Sequence, residues 1–157
     1  MAIQFSTEIR CPPRALWPWL TEPERMKKWM KGLISVANES GDPSQSRVGT
    51  RSKMVIKEGG RVATYDSTIV EWQPPRRIAI TLGAPHWKGL EMYVDYTLHD
   101  LGNATRLDYV CDAKTTRMLF KVMCAVFGIF AKLQAKSFIR SLKTQAEAEC
   151  QGVAARA

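Results

Sequence analysis

The sequence predicts an α+β fold in which a curled, seven-strand antiparallel sheet wraps around one long C-terminal helix, with two short helices after the first strand. Three observations carry that expectation. Thr115 to Cys150 has no proline and a single glycine, Gly128, and apolar residues recur through it at helical spacing, among them Leu119, Met123, Val126, Phe127, Phe130 and Leu133, then Phe138 and Leu142. The chain before it alternates apolar with polar residues in segment after segment, the pattern of strands with one buried face. Short turns separate those segments, which makes neighbours in sequence antiparallel neighbours in space. A helical rod of about 50 Å must lie against something broad, and the alternating face of the sheet supplies it.

Each element has its own signals. Ala2 to Cys11 alternates around Ile3, Phe5 and Ile9 and reads as the first strand, ended by Pro12 and Pro13. Arg14 to Leu20 reads as a short helix carrying Trp17 and Leu20. Thr21-Glu22-Pro23-Glu24 resembles a capping box, with Thr21 as N-cap of a second short helix that runs to about Lys31 and is stopped by Gly32. Strands follow over Leu33–Glu39, Val48–Glu58, Arg61–Trp72, Arg76–Leu82, Leu90–His99 and Thr105–Ala113. The connections are the polar loop Ser40–Arg47, the turn Gly59-Gly60, Pro74-Pro75, the loop Gly83–Gly89 and the turn Asp100–Ala104. The last helix is expected over Thr116 to Cys150, so residues 1–150 form one domain and residues 151–157 a short tail. Gly128 in its interior costs about 1 kcal/mol relative to alanine, and close packing or a bend over the sheet would account for it.

Composition narrows the class. The chain has 157 residues, 45% hydrophobic and 24% charged, as expected of one globular domain with a sizeable core. The net charge of +8 is local: residues 113–157 carry eight Lys/Arg against two Asp/Glu. A basic face on the last helix could meet anionic lipid or phosphates, or be a solvated face. The cysteines Cys11, Cys111, Cys124 and Cys150 form no CxxC pair, and with only His86 and His99 beside them no metal site is expected. No secretory signal opens the chain, and Val122–Ala131 is too short to span a bilayer, which takes about 20 apolar residues. The expectation is a cytoplasmic protein with reduced thiols.

The opening phrase Ile3 to Trp29, with its strand, Pro12-Pro13, Trp17, Leu20 and Trp29, resembles the start of the START-like (SRPBCC) superfamily in its polyketide cyclase/dehydrase branch. Val48-Gly49-Thr50-Arg51, the run Tyr65 to Ile78 and the run Tyr96 to Leu107 are similar to that family's later strands. The resemblance covers about Ile3 to Glu149 and implies the helix-grip (START/Bet v 1-like) fold, with a hydrophobic pocket between sheet and C-terminal helix. Its members include hormone binders, lipid carriers, aromatic cyclases, chaperone activators and oxygenase domains, so the fold does not settle an activity. They share no catalytic motif to carry over, and the two histidines sit in poor contexts for the iron site of the oxygenase branch.

Candidate pocket residues follow from strand phase and helix spacing, though core packing is the default role for such side chains. From the second short helix and the sheet they are Trp29, Met54, Ile56, Tyr65, Ile80, Leu82, Val94, Tyr96 and Tyr109; from the long helix they are Met123, Phe127 and Phe130. His86 and Trp87 are placed at the cavity mouth. Asp66 and Asp95 lie in strands but out of phase with the inward set, so both are expected to face solvent, as is His99 at a strand end. No catalytic residue stands out, and no nucleotide-binding motif or Ser-His-Asp order is present. The reading is a binding or carrier protein for a hydrophobic small molecule, lipid-, polyketide- or aromatic-like, with no cofactor. A cyclase/dehydrase-type enzyme is the alternative. Contact of the basic helix with a membrane surface or nucleic acid is a third reading; nucleic acid is not expected as a partner, while peripheral membrane contact and a homodimer stay open.

Overall fold

The computed structural model describes residues 2–39, 47–83 and 89–156. Its elements are β1 (Ala2–Ile9), α1 (Pro13–Thr21), α2 (Pro23–Trp29), β2 (Leu33–Asn38), β3 (Arg51–Glu58), β4 (Arg61–Gln73), β5 (Arg77–Gly83), β6 (Leu90–Asp100), β7 (Thr105–Thr115) and α3 (Met118–Arg156). The seven strands form one antiparallel sheet in the order β1-β7-β6-β5-β4-β3-β2. From β2 to β7 consecutive strands pair, while β1 closes onto β7 from the other end of the sequence, Ile3 opposite Cys111 and Thr7 opposite Leu107. The long C-terminal helix completes the α+β helix-grip arrangement that the sequence predicts.

Alternation decides the two faces. Along β6, Val94 and Leu98 are buried toward the core, and on β7 Leu107, opposite Leu98, and Tyr109, opposite Tyr96, are buried on the same face. The core is completed by Ile9, Leu16, Trp19, Leu20 and Trp29 from the N-terminal elements and by Ala135, Ile139, Leu142 and Ala146 from α3. These α3 positions fall three or four apart, one face of a helix. Two buried polar groups find partners far along the chain: the Trp29 indole donates to the Trp19 carbonyl at 2.8 Å, and the Thr105 hydroxyl to the Cys11 carbonyl at 2.7 Å, while the buried Trp19 indole N–H has no hydrogen-bond partner among the described residues.

α3 contacts α1, α2, β1 and β7, and its buried residues among those described, Ala135, Ile139, Leu142 and Ala146, lie in its C-terminal part. The Arg25 guanidinium on α2 donates to Glu149 at 2.5 and 2.6 Å, and the Arg10 backbone N–H donates to Glu147 at 3.0 Å. A disulfide joins Cys11 to Cys150 with Cα atoms 5.7 Å apart. Toward its start the helix stands clear: Met118, Leu119, Val122, Val126, Ile129, Phe130 and Leu133 are all at least 60% exposed.

Several expectations change. Cys11 and Cys150 are bonded rather than reduced, because the strand end and the helix end meet at this corner of the fold; Cys111 is a free, half-buried thiol. Thr21 is not an N-cap. It ends α1, donating its hydroxyl to the Trp17 carbonyl at 3.0 Å, and Glu22 stands at the cap of α2 with Pro23 in the first turn. α3 starts two residues later than Thr116 and remains helical past Cys150 to Arg156. β3 begins at Arg51 rather than Val48, since Gly49 takes a positive φ of 90° in a turn. Gly128 lies half-buried within an uninterrupted stretch of α3. Gly32 is the glycine the fold depends on: its φ is +91°, and a Cβ there would collide with the Lys57 carbonyl where β2 begins.

The disulfide closes nearly the whole chain into one loop, with a sequence separation of 139. A crosslink of this kind contributes about 2–4 kcal/mol. Reduction should therefore lower the thermal midpoint by roughly 5–15 °C, as followed by circular dichroism. Thiol counting in denaturant should find two more thiols after reduction than before. An unchanged midpoint and equal counts would contradict the crosslink.

Candidate functional site

The concave face of the sheet, α2 and the middle of α3 enclose a cavity of about 250 Å³. Strand phase builds its walls. β3 contributes Ser52, Met54, Ile56 and Glu58; β5 contributes Ile78, Ile80 and Leu82; β6 contributes Met92, Val94 and Tyr96. β4 contributes Tyr65, Ser67 and Ile69, and then Trp72, because a register shift between Ile69 and Glu71 changes the phase by one residue. Tyr109 and Cys111 come from β7, and Leu20, Met26, Trp29 and Met30 close the end formed by the short helices. From α3 the lining residues are Ala131, Gln134, Ala135 and Phe138.

The nine candidates expected from α2 and the sheet, Trp29 to Tyr109, all border this cavity. The α3 candidates do not fit the same way. Phe130 is 68% exposed and Met123 is half-buried, and neither borders the cavity. The described α3 lining begins at Ala131, next to the stretch fastened through Leu142, Glu149 and Cys150. The Phe127 side chain, His86 and Trp87 lie outside the described residues. Among the lining groups that escaped the sequence reading are Asn38, Ser52 and Ser67, and also Cys111. All but Asn38 are in phase with residues it singled out on the same strands, so phase alone could have found them.

The ionisable groups fall in two places. At the end of β3, the Tyr65 hydroxyl donates to Glu58 at 2.9 Å. Burial, reinforced by that carboxylate, pushes the Tyr65 phenol up to about 12. Deeper in, the rings of Tyr96 and Tyr109 meet edge-on with centroids 5.3 Å apart, and Phe5 stacks on Tyr109 at 5.1 Å. Burial raises both phenols far above their ordinary value, and Cys111 beside them adds to this. Burial likewise pushes the Cys111 thiol up, against a smaller opposing hydrogen bond from Tyr109. At neutral pH this inner group is uncharged. Among the described lining residues the one acidic side chain is Glu58, and there is no Lys, Arg or His.

The other acidic candidates lie elsewhere. Asp66 is exposed, as its phase predicts. Asp95 also faces away from the cavity, but it is only 6% exposed, a correction to its expected place in solvent. Arg77 covers it, donating through Nη2 at 2.5 Å, with Tyr93 and Thr97 donating to the same carboxylate. His99 pairs with Asp108 at 2.7 Å on that outer side. No group of three His, Cys, Asp or Glu is placed to hold a metal among the described residues.

All four tyrosines, Tyr65, Tyr93, Tyr96 and Tyr109, are raised above 10, first by burial in each case. A folded-state pKa above the unfolded one, near 10, means stability present in full below about pH 10 and lost as pH climbs toward the folded values. Ultraviolet titration of the native protein should show almost no tyrosinate from Tyr65, Tyr96 and Tyr109 at pH values near 10. Ionisation should then come together with loss of the circular dichroism signal. Reversible titration of several tyrosines near 10 in a folded protein would contradict the buried cluster.

Comparison with known proteins agrees with this architecture. Protein CV1439 from Chromobacterium violaceum superposes with a TM-score of 0.70 at 18% identity, over 93% of this chain and 96% of that one. TTHA0849 from Thermus thermophilus gives 0.71 at 16% identity, over 95% and 99%. Ara h 8.0201 gives 0.70 at 13% identity, over 94% and 98%. At such identities the likeness is one of fold. No curated protein matches the chain. The model of one family, the Activator of Hsp90 ATPase homolog 1-like proteins, matches residues 10–129. That span is most of the sheet, both short helices and the start of α3, so the chain belongs to the Activator of Hsp90 ATPase homolog 1-like family, within the START-like superfamily.

Proposed function

We propose that this protein binds a compact, uncharged, apolar small molecule in the cavity between the sheet and α3, as a binding or carrier protein. The observation that carries the reading is the cavity itself: about 250 Å³ lined mainly by Ile, Leu, Met and aromatic side chains, with few polar groups. Ligand sites are built this way, and this volume lies just below the roughly 300–1,000 Å³ range, as suits a compact ligand.

Electrostatics supports the choice of an uncharged ligand. An anionic head inside would meet Glu58 and no cation among the described lining residues, and a buried charge without a partner is costly. The hydroxyls of Tyr96 and Tyr109 stay protonated and offer donors to a carbonyl, ether or hydroxyl oxygen. The same protonation argues against catalysis as the main role. A phenol and a thiol held neutral are poor bases and nucleophiles at pH 7, which leaves the cyclase/dehydrase-type reading without a base in the inner group.

A fluorescence titration tests this. The neutral probe N-phenyl-1-naphthylamine should bind at least about tenfold more tightly than the anionic 1-anilinonaphthalene-8-sulfonate, a gap of roughly 1.4 kcal/mol. Ile56→Trp with Leu82→Trp should fill the space and weaken the neutral probe by about tenfold or more, with the circular dichroism spectrum retained. Preference for the anionic probe, or unchanged affinity in the folded double variant, would refute the assignment.

A further inference from the structure

We infer that the free face of α3 is a docking surface for an anionic lipid bilayer. No helix of the described residues is long and apolar enough to cross a membrane, so the contact is peripheral. The face is continuous. Leu119, Val122, Val126, Ile129, Phe130 and Leu133 are 60–75% exposed. At about 100° per residue they fall, with Met118, within an arc of about 120° running some 20 Å along the helix. Apolar side chains singly exposed are ordinary, but a contiguous stripe of this kind marks an interaction surface.

Charge identifies what covers it. Between Ala113 and Ala146 the chain carries seven Lys/Arg and no Asp or Glu. Lys121, Lys132 and Lys136 follow one edge of the stripe, with Arg117 at its start. All four are exposed, and none joins an ion pair among the described residues. Cations flanking an apolar face are the pattern of a helix lying in the headgroup region of a membrane. Each one near an anionic surface strengthens binding about fivefold. A second copy of the chain fits less well, because a symmetric pairing of two such faces brings two sets of cations together. The stripe uses side chains that do not border the cavity, so this inference stands independently of the ligand proposed above.

Vesicle sedimentation tests it, with phosphatidylcholine vesicles made with and without phosphatidylserine. The protein should bind the anionic vesicles at least about tenfold more tightly, with binding weakened by high salt. Val122→Asp with Ile129→Asp should lower binding by about tenfold or more, with the thermal midpoint unchanged because both sites are exposed. Lys121→Gln with Lys132→Gln should lower binding to anionic vesicles alone. Absence of vesicle binding, or equal binding to both compositions, would overturn the proposal. So would loss in the lysine variant without loss in the aspartate variant. A dimer seen by light scattering that the aspartate pair splits, with no vesicle binding, would assign the face to a second copy instead.

Discussion

The fastening of the C-terminal half of α3 is the constraint on which the rest of the molecule depends. Ile139, Leu142 and Ala146 are almost completely buried, the Arg25–Glu149 pair ties α3 to α2, and the Cys11–Cys150 bond ties it to the end of β1. In this helix of 39 residues the cavity lies where the fastened stretch begins. Behind it, Ala135, Ile139 and Leu142 are buried; before it, toward Met118, the described side chains Leu119, Val122, Val126, Ile129 and Phe130 are exposed. The same fastening thus positions the cavity and leaves an apolar face without a partner.

The cavity also explains why a strongly basic protein has a lining without cations. The positive excess belongs to the outward sides of α3, while the inward sides of β3 to β7 carry apolar residues, small hydroxyls and tyrosines. Burial costs a charge much more than it costs a phenol. The sheet keeps Asp95 on its outer side under Arg77, and, apart from Glu58 at the end of β3, the inner side keeps apolar groups, hydroxyls and phenols. Net charge and site chemistry are therefore separate readings of this chain, the one describing its surface and the other its interior.

Much of this was legible in the sequence because a strand's period of two is unforgiving. Met54 with Ile56, Ile80 with Leu82 and Val94 with Tyr96 had to share a face, and that face had to be covered by the apolar rod at the end of the chain. Phase likewise put Asp66 and Asp95 outside the cavity. What phase could not show was covering by neighbours, so the burial of Asp95 beneath Arg77 was missed. Helix spacing is less informative in α3, where apolar residues lie on more than one side between Met118 and Leu133. Periodicity marks Phe130 and Phe138 as equally inward, and only the fastening far along the chain turns the first out and the second in. The bond between Cys11 and Cys150 depends on two ends meeting in space, which no local pattern records.

Hydrogen–deuterium exchange by mass spectrometry, with and without N-phenyl-1-naphthylamine, tests the division of α3 most directly. Amides over residues 135–150 should exchange slowly, and those over residues 118–130 much faster, since the described apolar side chains of the latter stretch are mostly exposed. Bound probe should slow exchange in β5, β6 and residues 131–138 and leave 118–130 unchanged. Uniform protection along the helix, or probe protection confined to residues 118–130, would contradict the account.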